Sequence, residues 1–565
     1  MKKRGNFMKL FLAFLRGASV FMLLCASFFP AYGESWHGSR LEDAIRRMTL
    51  EEKVGQLLMV GVKGTTATSE TQRLVKELKL GSIILYSHNV KDSSQIKNLV
   101  SDIQREQPIP LFMAVDQEGG SVVRIRQNTQ VLPSAMAIGA TQSSQLAFLS
   151  GKLTAQELRS LGINMNLAPV LDINTNEYNT IIGVRSFGQN PELVSQMGMW
   201  YIEGLQSQGV AATAKHFPGH GDTMTDSHYA VPVLKSKLEE LESFHLVPFR
   251  RAIENGLDAI MTAHISIPAL DPSGLPATFS YNLLTNVLRK KLHFEGVILT
   301  DDLEMKSIQQ GYDIGTAALK AVLAGADIVM ISWSHPKKYH VYQTLLEAAK
   351  SGSLSSEILD ASVKRILKLK IKRGLLGPHR ESAGPVEELS TPSVQRLAQQ
   401  IANHAVTVVF NKNNTLPLQE EDHRRVLLVT PLPRFYHNMK FFHERVTPYF
   451  ISPRPTVEQL KIAVSEIQAQ KGKYDLILFG ITHSSQLSLI NQLQETTQKP
   501  TVVVSFNSPY YVRKLGAISS YVCSYGTEKE LLQATAQVIS GVIPSQGKLP
   551  VTLDDRFAAK VSLLR

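Results

Sequence analysis

The sequence predicts an α/β protein: a (β/α)8 TIM-type barrel followed by a smaller α/β sandwich domain. Three observations carry that expectation. Eight apolar runs alternate with amphipathic segments between about residue 50 and residue 375. Each run is continuously apolar rather than alternating, as a strand buried on both faces of a parallel sheet requires. Polar residues gather where these runs end. Asp116, Asp172, Lys215 with His216, His264 and Asp301 all sit there. In a closed barrel such ends converge on one mouth, whereas an open doubly wound sheet needs no such clustering.

The elements follow in order. Thr49 and Glu52 fit a capping box at the start of "MTLEEKVGQ". The strand candidates are "QLLMVGV", "GSIILYS", "LFMAVDQ", "INMNLAPVLDI", "GVAATAKH", "AIMTAHISI", "GVILTDD" and "ADIVMIS". Amphipathic segments such as "SSQIKNLVSDIQRE" and "SEILDASVKRILKLKIKR" separate or follow them. Beyond them, Gly, Pro and Ser breakers in "GLLGPHRESAGPVEELSTPS" mark a linker. A helix, "VQRLAQQIANHAV", leads into the short strands "RRVLLVTPL", "YDLILFGIT", "PTVVVSF" and "SSYVCSYG". No glycine-rich dinucleotide fingerprint occurs in this second part, so it does not read as a nucleotide domain. The expected division is a signal segment at 1–33, a barrel at 34–375, a linker at 376–392 and the sandwich at 393–565.

The chain has 565 residues, 43% hydrophobic and 19% charged, with a formal charge of +11. Lys2, Lys3, Arg4, Lys9 and Arg16 supply five of those charges before residue 34, where no acid occurs. The remainder carries +6, and no basic run with interleaved aromatics appears, which argues against a nucleic-acid partner. The basic start, the apolar stretch from Val20 to Phe29 and the small residues Ala31 and Gly33 read as an export signal. Arg16 leaves that apolar run short for a membrane span of about 20 residues. The alternative is an uncleaved membrane anchor; with the signal removed, the mature chain is expected outside the cytoplasm, periplasmic, extracellular or associated with the cell envelope, with no integral membrane span. If the signal is removed, Cys523 is the one cysteine left and no internal disulfide can form.

Four stretches hold candidate chemistry. In "GVILTDDLEM", Asp301 and Asp302 follow an apolar strand; either both cap the next helix, or Asp301 faces the mouth while Asp302 supports it. In "AVDQEGGSVVRIR", Asp116 with Arg124 and Arg126 is either a structural ion pair or a grip on sugar hydroxyls. "IIGVRSFG" adds Arg185. "KHFPGHGDTMTDSH" places His216 and His220 four apart, as on a zinc-binding helix. Pro218, Gly219 and Gly221 make a helix there improbable, and no second ligand pair has recognised spacing. Asp226 and His228, two apart on the same loop, suit an acid/base dyad in which the carboxylate orients the imidazole.

Taken together, "KHFPGHGDTMTDSH", "DQEGG", "GVRSFG" and "GVILTDDLEM" resemble glycoside hydrolase family 3, in particular its bacterial β-N-acetylglucosaminidase (NagZ-like) branch. The resemblance starts at "MTLEEKVGQLLMVG", and "AQQIANHAVTVVFNKNNTLPL" resembles the opening of the family's C-terminal domain. It implies a retaining hydrolase that releases terminal GlcNAc and needs no metal or other cofactor; together with export, that activity suggests peptidoglycan-derived muropeptides as the substrate, with the leaving sugar MurNAc, its 1,6-anhydro form or another GlcNAc. Asp301 matches the nucleophile, His228 the acid/base and Asp226 its partner. Asp116, Arg124, Arg185, Lys215 and His216 match residues that hold GlcNAc. Ser121 and Val184 depart from the residues many relatives carry there, and neither is a catalytic position. His220 and Asp222 take no role beyond shaping the loop. The competing expectations are a substrate-assisted hydrolase, a phosphorylase, a β-glucosidase of the same family, and a non-catalytic wall-glycan-binding protein.

Overall fold

A computed structural model describes residues 39–553, apart from 106, 128, 224–230, 377–390 and 420–422. The signal segment, most of the linker, and the Asp226–His228 pair lie outside the described residues.

Eight strands close into a barrel in chain order: β1 (Leu58–Gly61), β2 (Ser82–Leu85), β3 (Phe112–Val115), β4 (Met165–Asn166), β5 (Ala211–Phe217), β6 (Ala259–Thr262), β7 (Val297–Asp302) and β8 (Ile328–Ile331). Every neighbouring pair is parallel, including the closing pair β8–β1. Their Val, Ile, Leu and Met side chains are buried throughout, which explains why each run reads as apolar without alternation. The capping box forms as expected: Glu52 N donates to Thr49 Oγ1 at 3.2 Å, and Thr49 N to Glu52 Oε2 at 2.9 Å.

One barrel strand is shorter than the sequence suggests. Only Met165–Asn166 of "INMNLAPVLDI" pairs as a strand, with a single further bridge between Val170 and Lys215. Pro169 has no N–H to give the ladder. Asparagine side chains take up part of the bonding instead. Asn164 Oδ1 accepts from Met113 N at 2.9 Å, and Asn166 Oδ1 accepts from Gln117 N at 3.0 Å. Register shifts interrupt the β5–β6 pairing between Ala214 and Phe217 and the β7–β8 pairing opposite Leu299 and Asp302. Such irregularities re-aim side chains at a barrel rim, and these two lie beside His216 and Asp302.

The second domain is a six-stranded sheet: β9 (Thr407–Asn411), β10 (Val426–Thr430), β11 (Val446–Phe450), β12 (Leu476–Ile481), β13 (Thr501–Ser505) and β14 (Ser520–Cys523). The order is β9-β14-β13-β12-β10-β11, with β9 antiparallel and the rest parallel. Two of its strands were not expected from the sequence. β9 follows directly on the helix Thr391–Ala405, and β11 is a half-exposed edge strand that tolerates Pro448 because it pairs on one side only. Cys523 is a buried free thiol.

The two domains share one continuous apolar cluster. Polar contacts pin the loops of the barrel mouth to the second sheet. Ser134 Oγ donates to Tyr525 O at 2.7 Å, Tyr510 Oη to Asn174 O at 2.8 Å, and Arg513 Nη1 to Glu177 Oε2 at 2.9 Å. Ser134 also accepts from Ala137 N as the N-cap of the helix Ala135–Thr141. Removing both roles in Ser134→Ala is expected to cost about 1–2 kcal/mol of stability, readable as a lower Tm in thermal unfolding.

Candidate active site

The C-terminal ends of the strands open into a cavity of about 720 Å3. Asp116, Arg124, Arg185, Lys215, His216 and Asp301 all line it, so six of the eight expected site residues meet in one place. Those six come from the loops after β3 and β4 and from the ends of β5 and β7.

One wall is an interlocked set of charges. Lys215, with its side chain 3% exposed, places Nζ 2.7 Å from both Asp116 Oδ1 and Glu118 Oε1. Arg185 grips Glu118 in a two-pronged pair, Nε to Oε2 at 2.9 Å and Nη2 to Oε1 at 2.8 Å. Arg124 Nη2 donates to Asp116 Oδ2 at 3.3 Å. Two carboxylates and three cations leave one net positive charge. Burial alone would raise the Glu118 carboxyl, but Arg185 and Lys215 hold it well below the usual carboxylate range. Burial opposes the charge on Lys215 as well, and Asp116 and Glu118 more than offset it, raising its pKa. Buried charges persist only when paired in this way. Glu118 joins this wall without standing among the residues the sequence marks. It lies in "DQEGG", on a short hairpin rather than at a strand end, and its one signal was standing two residues from Asp116.

A second set of contacts fixes the base of the histidine loop. Asp172 is fully buried. Its carboxylate accepts from His216 N at 3.2 Å and from His220 N at 2.6 Å, and its Oδ2 lies 2.7 Å from His216 Nδ1. Burial would raise the Asp172 pKa, but His216 and these hydrogen bonds lower it. His220 Nδ1 lies 2.6 Å from Thr223 Oγ1, and burial lowers the His220 pKa. Thr175 Oγ1 donates to Asp222 Oδ1 at 2.7 Å, and Asn179 Nδ2 to His220 O at 2.8 Å. His220 and Asp222 thus do shape the loop base, and His220 also lines the cavity. Gly221 packs so tightly that an added Cβ would stand 1.9 Å from Ile173 O. The rings of His216 and His220 meet edge to face at 6.1 Å, with each Nδ1 already committed to a protein oxygen.

The two acids that end β7 divide as in the second of the two sequence readings. Asp301 faces the cavity, and its Oδ1 accepts from Asp302 N at 2.8 Å. Burial would raise its pKa, yet His264, His216, the Asp302 amide and Lys215 hold it below the ordinary aspartate value. Asp301 is therefore an ionised, half-buried carboxylate facing a cavity, the state a carboxylate nucleophile needs. Asp302 supports the turn by accepting from Glu304 N at 3.0 Å, and burial pushes its pKa up to about 6. His264 reaches the same turn, with Nε2 3.1 Å from Asp302 O and Nδ1 2.8 Å from Thr278 Oγ1. Asp226 and His228 lie outside the described residues.

Residues 49–369 match the glycosyl hydrolase family 3 N terminal domain. The chain is 30% identical over 552 residues to beta-hexosaminidase A of Pseudoalteromonas piscicida, covering 87% of this chain and 92% of that one. It is 37% identical over 275 residues to a beta-hexosaminidase of Pseudomonas aeruginosa, covering 48% of this chain and 81% of the relative. Among solved structures, a glycoside hydrolase family 3 beta-N-acetylglucosaminidase from Paenibacillus sp. str. FPU-7 superimposes with a TM-score of 0.82 at 34% identity. That match covers 90% of this chain and 99% of the other. A family match over more than half of the chain, and a relative of this identity along nearly its whole length, make the chain a member of glycosyl hydrolase family 3 and hence a glycoside hydrolase.

Proposed function

We propose that the protein is a retaining exo-β-N-acetylglucosaminidase that releases terminal GlcNAc from peptidoglycan-derived muropeptides. The observation that carries this reading is Asp301, a half-buried carboxylate kept ionised in the same cavity as the Asp116–Glu118–Lys215–Arg185 wall. The names of the hexosaminidase relatives support GlcNAc as the sugar.

In the first step, an Asp301 oxygen attacks the anomeric carbon as the bond to the leaving oxygen breaks. His228, to which the family resemblance gives Asp226 as partner, gives that oxygen its proton. In the second step, His228 takes a proton from water, and the resulting hydroxide equivalent displaces Asp301 with a second inversion, so the β configuration is kept. Lys215, Arg124, Arg185 and His216 donate to the hydroxyls of the bound sugar, and Asp116 accepts from them. Such positioning is worth several powers of ten when the reacting atoms are held close. Gly221→Ala, which pushes the loop base off Ile173, is expected to lower kcat/KM by about 10²-fold.

The N-terminal signal pattern supports work outside the cytoplasm, and among the described residues no helix is long and apolar enough to cross a membrane. Three measurements test the reading. An activated 5-fluoro β-GlcNAc donor should add one glycosyl mass to the peptide containing Asp301; the absence of that adduct would favour substrate-assisted catalysis. Turnover of a chromogenic β-GlcNAc glycoside should be the same with and without phosphate, whereas dependence on phosphate would make the enzyme a phosphorylase. Defined GlcNAc–MurNAc peptides should yield free GlcNAc, and resistance of those substrates would remove the muropeptide assignment.

A further inference from the structure

Trp333, just after β8, stands half exposed (50%) beside a barrel core that is otherwise buried. Single exposed aromatics are ordinary on a protein surface, and Trp333 differs in lining the same cavity as Asp301. Its ring leans on Tyr86, with centroids 4.5 Å apart and planes tilted by 33°, and lies 5.7 Å from the ring of His88. The other elements around Tyr86 are already occupied: Arg124 lies 5.7 Å over its ring, and its hydroxyl is 2.6 Å from Ser332 Oγ.

The exposed ring is mounted on a clamped backbone. The Glu304 carboxylate accepts from both Trp333 N and Ser334 N, and Lys338 Nζ donates to Gly61 O at 2.7 Å. Glu304 follows Asp301 by three residues, so the turn that carries the acid also fixes the tryptophan. Trp333, Tyr86, Glu304 and Asp301 line the same cavity. Around the barrel, the charged wall occupies the arc from β3 to β5, and the aromatic pair occupies the arc from β8 to β2. A cavity with hydroxyl-binding charges on one arc and a rigid aromatic face on another has room for two sugar rings read differently. The first is held by its hydroxyls. The second would bury the apolar C–H face of its ring against the indole.

We propose that Trp333, seated on Tyr86, is the stacking platform for the sugar ring of the leaving group, so that the enzyme selects β-GlcNAc glycosides whose aglycone is itself a pyranose. This inference rests on the hydrolysis proposed above. Trp333 acts as a specificity-determining residue and takes no part in bond making.

The test compares two substrates in wild type, Trp333→Ala and Trp333→Phe. N,N′-diacetylchitobiose has a pyranose leaving group, and β-GlcNAc fluoride has a leaving group with no ring. The ratio of their kcat/KM values should fall about 10- to 100-fold in Trp333→Ala, the size of a lost apolar contact. Trp333→Phe, which keeps an aromatic face, should restore most of it. A ratio unchanged within about threefold in Trp333→Ala would overturn the platform while leaving the hydrolase reading intact. Wild type that cleaves neither substrate would overturn both.

Discussion

Replacing Asp301 by glycine is expected to lower kcat on β-GlcNAc glycosides by about 10⁴- to 10⁶-fold, the range found when a covalent nucleophile is removed. The loss should be nearly the same for activated and unactivated leaving groups, because formation of the glycosyl–enzyme bond is what disappears. Azide separates this role from the acid/base role. It fits the space that Asp301 vacates and attacks from that face, so Asp301→Gly should regain turnover and give the α-glycosyl azide. His228→Ala keeps the covalent step. Azide then enters from the water side and should give the β-azide. An α-product from both variants, or no rescue of Asp301→Gly, would contradict the assignment. The protonation state supports the expectation: the Asp301 pKa lies below the ordinary aspartate value, so the nucleophile stays ionised through the whole mildly acidic range.

The second large effect is expected at Glu118. Its carboxylate touches Lys215 at 2.7 Å and Arg185 at 2.8 Å, with its side chain only 6% exposed. In Glu118→Gln the cations lose one of the two carboxylates that balance them. Breaking a buried pair by removing one partner destabilises by about 3–5 kcal/mol. Denaturant unfolding should show that loss at neutral pH. The pH dependence has a definite sign. The folded pKa of Glu118 lies below its unfolded value of about 4.3, so its contribution is fully present above that pH. It is lost as pH falls through the folded value. Wild type should therefore lose stability on acidification below about pH 4.3, and Glu118→Gln should show a flatter acid limb. Lys215 also sits against the sugar in the proposed mechanism, so kcat/KM should drop by about 10²-fold through misplacement of that ammonium. An unchanged midpoint in denaturant would show that the wall does not depend on this pair.

These effects divide along a line between local pattern and tertiary contact. The eight strands were legible because a strand inside a barrel is apolar on both faces, and its neighbours in sequence carry that signal. The capping box at Thr49 was legible for the same reason: both partners lie within three residues. The strand ends also marked Asp116, Lys215, His216 and Asp301 as facing one mouth. Where the local signal is weak, the sequence leaves the element undefined. β11 carries a proline at a half-exposed edge, and in "INMNLAPVLDI" the side chains of Asn164 and Asn166 supplement an interrupted backbone ladder.

The sequence by itself determined the barrel, the second α/β domain, and the acids, lysine and histidine at the mouth. Only the tertiary structure decided which of those charges neutralise one another and which additional residues join them. Glu118 meets Lys215 across 97 positions of chain, Asp172 anchors His216 across 44, and Tyr86 meets the Trp333 loop through Ser332 across 246. No periodicity or spacing encodes such pairs, because they exist only once the barrel closes and brings the ends of distant strands within a few ångströms. Protonation follows from the same closure. Asp301 and Asp302 are adjacent in sequence, yet histidines and Lys215 lower the first while burial raises the second to about 6.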